Sequence, residues 1–236
     1  MRRPMRVAIV ENQTGTPFGQ IGRALDEAGA DLAIYRPWRD GGLPADIDAH
    51  AALVVLGGEQ SAVDDATHPY LPALAALMRR YGEAGRAVLG ICLGSQILAR
   101  GYGGLNRVGT APEFGWRTIR ATDAGRSDPV LSAAGSAFPI FQWHRDTFTL
   151  PAGALHLAEN AEVAHQAFRL GRAAYGMQFH FEADRAVVAE WTESFAAAAE
   201  RMQPGWQGLH GSEAARHGPA ADAAGLAIAR AWVALI

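Results

Sequence analysis

Apolar residues along this chain fall into two textures. Through roughly the first hundred positions, short unbroken apolar runs alternate with stretches of helical period. Arg6–Val10, Asp31–Tyr35, 51–56 and Ala87–Ile91 read as strands, and the last two carry nothing polar. Between them, residues 18–29 place Ile21, Leu25 and Ala28 on one helical face, and residues 70–85 form a second helix ending at a glycine. This alternation predicts a doubly wound α/β fold, a mainly parallel sheet covered on both faces.

From 105 to 176 helical periodicity is scarce. Short strands are expected at 105–108, 116–119, 137–142, 148–150, 155–158 and 166–170, with turns between them. They read as an antiparallel β addition to the main sheet. A strand at 173–175 follows, then one helix at 183–199, a loop at 203–211 and an Ala-rich helix at 220–235. Residues 1–200 are taken as the domain, with 201–236 a C-terminal loop and helix of no evident role.

With 236 residues the chain can bury a substantial core. A net charge of −3 without a basic run argues against nucleic-acid binding. No apolar stretch approaches the ~20 residues of a membrane span, and the basic start, Met1 to Arg6, precedes too short an apolar run for a leader peptide. A single cysteine rules out an internal disulfide and suits a reducing cytoplasm. All 21 strongly basic residues are arginine, so no lysine is available for Schiff-base chemistry. The eight histidines show no HxH or HxxxH spacing that would suggest zinc, and neither a metal nor a cofactor is expected.

That single cysteine sits at a strand end between two glycines: Gly90-Ile91-Cys92-Leu93-Gly94-Ser95-Gln96. A lone cysteine in an apolar stretch is usually an inert core residue. Flanking glycines change the reading, because they permit the tight strand-to-helix turn that lifts a nucleophile out of a sheet. The helix that follows would aim its N-terminus at the sulfur and favour the thiolate. A second strand end carries the other parts. In Gly176-Met177-Gln178-Phe179-His180-Phe181-Glu182, His180 and Glu182 are two apart and share a face of an extended chain. A thiol nucleophile needs a base, and the base a group that orients it. Asp146 also stands two beyond His144, so spacing alone leaves two His–acid pairs.

The two signatures resemble those of class I, triad-type glutamine amidotransferases. Two further segments agree: Val54-Val55-Leu56-Gly57-Gly58, and Trp143-His144-Arg145-Asp146, which is similar to stand-alone members related to the amidotransferase part of GMP synthase. The resemblance runs from about residue 5 to about 195 and implies a flavodoxin-like fold. It implies Cys92 as nucleophile, His180 as base and Glu182 as its orienter. It also implies an oxyanion hole from the N–H groups of Gly58 and Leu93, and substrate contacts from Gly57, Gln96, Arg145 and Asp146. Two departures, Ser95 and Glu59-Gln60, are expected on the lip of the site.

Three readings follow. The chain hydrolyses glutamine through a γ-glutamyl thioester and passes ammonia to a separate synthetase subunit. Alternatively, it is a stand-alone hydrolase or transferase of γ-glutamyl compounds. The third, a non-catalytic interaction protein, fits an intact set of triad residues poorly.

Overall fold

A computed structural model describes residues 5–236; positions 1–4, the start of the basic N-terminus, lie outside them. The first half alternates as its apolar runs demand: β1 (Arg6–Val10), α1 (Gly19–Glu27), β2 (Asp31–Tyr35), a single turn α2 (Pro37–Asp40), β3 (Ala52–Val55), α3 (Leu71–Glu83), β4 (Ala87–Ile91) and α4 (Leu93–Gly101). Next come β5 (Asn106–Arg107), β6 (Glu113–Ala121), the short α5 (Asp123–Ser127), β7 (Ala137–His144), β8 (Thr147–Phe148), β9 (Leu155–Glu159), β10 (Ala167–Leu170) and β11 (Ala174–Met177). The chain closes with α6 (Arg185–Ser194), α7 (Ala196–Met202) and α8 (Trp206–Val233).

Among the described residues, nine strands join one sheet in the order β2-β1-β3-β4-β11-β10-β9-β6-β7. The first five are parallel neighbours, in the flavodoxin-like order, and the rest are antiparallel. Strand β1 shows why the sheet is covered twice. Val7 and Ile9 point into a core shared with α1 and α8, and Ala8 and Val10 into one shared with α3 and α4. The predicted α/β class and the antiparallel addition are both present. β5 and β8 form a separate two-stranded ribbon.

The elements depart from expectation where side chains outrank local pattern. The strand expected at 116–119 begins at Glu113, because Glu113 and Phe114 continue the pairing with His144 and Trp143 of β7. Those expected at 105–108 and 148–150 shorten to the two-residue β5 and β8. The helix expected at 183–199 breaks at Phe195, whose ring packs edge-on against Trp143. The loop expected at 203–211 ends at Gly205, and one helix runs from Trp206 through Pro219 to Val233. Its start is fixed by Glu200, whose carboxylate accepts the N–H groups of Gly205 and Gln207 at 2.7 and 3.0 Å, and by Trp206, buried against Phe114. These backbone bonds hold Glu200 below the usual carboxylate range.

Candidate active site

Between the last residue of β4 and the first of α4 lies one residue, Cys92. Its φ of 51° makes it the one non-glycine residue with positive φ among the described residues. A side chain in that region is strained and persists only where its surroundings fix it. Here the Cys92 N–H donates to Met177 O at 2.8 Å, and its carbonyl accepts the Ser95 N–H and hydroxyl at 3.0 and 2.6 Å. Ser95 is thereby fully buried, not on the lip where sequence put it: from the first turn of α4 its hydroxyl bonds back to the elbow.

The flanking glycines are steric requirements. A Cβ on Gly90 would stand 2.3 Å from Gly94 O, and one on Gly94 would stand 2.1 Å from Val55 O. Both neighbours are backbone and cannot swing aside. Gly94→Ala is therefore expected to destabilise the fold by about 3 kcal/mol or more, because α4 must move off β3. Urea unfolding measures this; a midpoint equal to wild type would contradict the close packing.

Beyond β11 the chain stays extended, and the His180 N–H donates to Phe141 O of β7 at 2.9 Å. His180 and Glu182 then face the same way, with Nδ1 2.7 Å from Glu182 Oε1. The imidazole and the cysteine converge at Gly57. A Cβ there would lie 3.4 Å from His180 Cε1 and 3.6 Å from Cys92 Cβ. Trp191 meets the imidazole edge-on at 5.1 Å. Burial works against a charge on His180, but the Glu182 carboxylate and the Cys92 sulfur outweigh it and hold the imidazole well above its ordinary range.

The other candidate pair is differently committed. His144 Nε2 lies 3.0 Å from Glu113 Oε2, and Nδ1 lies 3.0 Å from the backbone carbonyl of Asp146. Both nitrogens are thus occupied. Its acid is Glu113 on the neighbouring strand, whereas the Asp146 carboxylate accepts the Gly109 N–H. Burial raises the Glu113 carboxyl, yet hydrogen bonds from His144, Asn160 and Gln166 bring it below the usual range. Sequence gave no sign of Glu113 beyond a charge in an apolar run. Gln178 was also missed: it links the Gln96 amide, 3.1 Å away, to the Cys92 sulfur at 3.7 Å. Gln96 donates as well to the Asp146 carbonyl at 3.3 Å.

The N–H groups of Gly58 and Leu93 have no protein acceptor among the described residues. The loop after Gly58 is braced by Gln60, which donates to Asn12 O and to the Tyr70 hydroxyl. One cleft of about 1070 Å³ has Cys92, Leu93, His180, Gly57 and Gly58 in its wall, with Gln96, Arg145, Asp146, Glu59 and Gln60 also lining it. Among the described residues no cluster of His, Cys, Asp and Glu is arranged to hold a metal ion. Among the described residues no helix is long and apolar enough to cross a membrane.

The model of the family described as glutamine amidotransferase class-I matches residues 20–191. The chain is 31% identical over 181 residues to the glutamine amidotransferase-like protein YfeJ of Salmonella typhimurium, covering 75% of this chain and 76% of that one. It is 26% identical to the glutamine-hydrolysing GMP synthase of Thermosipho africanus over 84% of its own length, but spans only 37% of that protein. Among solved structures, a glutamine amidotransferase of Methylobacillus flagellatus superposes with a TM-score of 0.85 at 28% identity, covering 99% of this chain and 96% of that one.

Proposed function

Since the chain belongs to the class-I glutamine amidotransferases, we propose that it hydrolyses the side-chain amide of glutamine or a related γ-glutamyl amide, with Cys92 as nucleophile. The observation that carries this reading is a cysteine held at φ 51° beside an imidazole that is itself fastened to a buried carboxylate at 2.7 Å.

In this mechanism the Cys92 sulfur adds to the δ-carbonyl carbon. A cationic imidazole beside a cysteine is the state in which the thiol's proton already rests on the imidazole, and the thiolate is the nucleophile. The oxyanion that forms faces the open N–H groups of Gly58 and Leu93, and losing one such donor costs about 10²–10³ in rate. His180 gives its proton to the departing nitrogen, the carbon–nitrogen bond breaks, and a γ-glutamyl thioester remains. Water, deprotonated by His180, then releases glutamate. Glu182 keeps Nε2 as the nitrogen that exchanges the proton. Gln96, backed by the buried Gln178, and residues 145–146 form the wall nearest the substrate's amino-acid end. The lone thiol is suited to a reducing compartment such as the cytoplasm.

The test is glutamate release by the purified chain from glutamine and from γ-glutamyl amides. Release from none of them refutes the reading. A second reading, ammonia transfer to a separate synthetase, draws on the likeness to part of GMP synthase. It predicts weak turnover alone and a strong rise when the partner binds.

The proton held by His180 sets the pH profile. The active form carries it, so kcat/KM is expected to stay level across the region near pH 6.5 where a free imidazole titrates, and to fall on the alkaline side as pH passes the raised value. A pH–rate profile falling with a midpoint near 6.5 would contradict this assignment.

A further inference from the structure

The cleft is larger than glutamine requires. At about 1070 Å³ it matches the upper range of sites for drug-sized ligands, roughly 300–1,000 Å³. The extra space runs along β6 and α7. Phe114 of β6 pairs with Trp143, whose carbonyl lies 3.7 Å from the Cys92 sulfur. Arg117 stands three residues farther along β6, roughly 10 Å at strand rise. That distance is room for about three residues of extended chain.

Two cationic groups line this arm, Arg117 and, from the end of α7, Arg201. Gln203 joins them: Arg117 Nη1 and Gln203 Oε1 both lie 3.6 Å from the place a Cβ on Gly115 would take. Arg117 Nε is buried with no hydrogen-bond partner; Nη1 donates to Trp116 O at 3.2 Å, and the exposed Glu162 carboxylate pairs loosely with the guanidinium at 3.8 Å. No ion pair engages Arg201 among the described residues. The other nearby acids are committed elsewhere, Glu182 to His180, Asp146 to the Gly109 N–H and Glu200 to the start of α8. The arm thus presents guanidinium groups with spare donors, beside the apolar side of Phe195 and Trp143.

We propose that this arm binds a carboxylate on the amine half of the substrate, so that the chain acts on γ-glutamyl amides of amino acids or short peptides in preference to glutamine. This rests on the hydrolytic reading above and names its substrate class. The balance is that of amide hydrolysis. The sulfur–carbon bond forms, the carbon–nitrogen bond breaks, and the amino acid leaves with the His180 proton. Water then cleaves the thioester to glutamate and restores the thiol.

γ-Glutamylglycine and γ-glutamylmethylamide differ by one carboxylate and share the same α-amino and α-carboxylate end, so they isolate the arm. Calorimetric binding to Cys92→Ala is expected to favour γ-glutamylglycine by about tenfold, a preference that weakens with added salt. Arg201→Gln and Arg117→Gln should each erode that preference severalfold. Arg201→Gln decides the matter if Arg117→Gln fails to fold. Equal binding of the two compounds, or an equal loss for both in the variants, overturns the proposal. Glutamate release by the wild-type chain separates the two levels. Equal kcat/KM for both compounds overturns the arm and leaves hydrolysis standing. No release from either, with the binding preference intact in Cys92→Ala, keeps the arm and overturns hydrolysis.

Discussion

Cys92→Ala is expected to abolish glutamate release, lowering kcat by about 10⁴-fold or more, while the protein unfolds at nearly the same temperature as wild type. Removing a nucleophile that acts as one unit with its base costs as much as removing the unit. Stability is spared for local reasons. Alanine meets the φ of 51° no worse than cysteine does, and the backbone bonds of the elbow, to Met177 and from Ser95, survive. Besides the His180 imidazole, the sulfur meets two polar groups among the described residues, the Trp143 carbonyl and the Gln178 amide, each at 3.7 Å. A cost of about 1 kcal/mol is ordinary for such a truncation. Turnover and thermal melting measured together give the answer. Near-normal turnover would remove Cys92 from the chemistry altogether. A diazo-ketone analogue of glutamine should label Cys92 in the wild-type chain and nothing in this variant.

The elements most legible in the sequence were those whose side chains have no choice of environment. Arg6–Val10, Asp31–Tyr35 and Ala87–Ile91 match their expected boundaries. In β1 and β4 an unbroken apolar run can only be a strand buried on both faces. The elbow and the 180–182 segment were legible because each needs particular residue types at short spacing. Glu113 was not, since its partner His144 stands 31 positions away and only sheet pairing brings them together. The start of α8 was hidden for another reason. Pro204 and the glycines at 205, 208 and 211 read locally as a loop, whereas the Glu200 carboxylate and the burial of Trp206 start the helix there. The Phe195 break had no local signal either, because the sequence on both sides of it favours helix.

The two His–acid pairs that spacing could not separate should separate cleanly by experiment. His180→Asn is expected to lose about 10⁴-fold in kcat, since it removes both the proton donor to the leaving nitrogen and the base for water. Glu182→Gln should lose less, about 10² to 10⁴, because it leaves the imidazole in place without its anchor. It should also move the alkaline limb of the pH profile to lower pH, since burial then acts on His180 without an opposing carboxylate. Stability follows the same linkage. A histidine raised in the folded state contributes stability fully below about pH 6.5, and that contribution is lost as pH rises through the raised value. The melting difference between wild type and Glu182→Gln should therefore be larger at acid pH than at alkaline pH. His144→Asn behaves in the opposite sense. Its ring is one of three partners of the buried Glu113 carboxylate, so its loss leaves a buried acceptor under-satisfied and costs about 1–3 kcal/mol of stability. Its damage is expected mainly in melting, and that of His180→Asn mainly in rate. Full turnover in His180→Asn, with turnover lost and melting unchanged in His144→Asn, would transfer the base to the other strand.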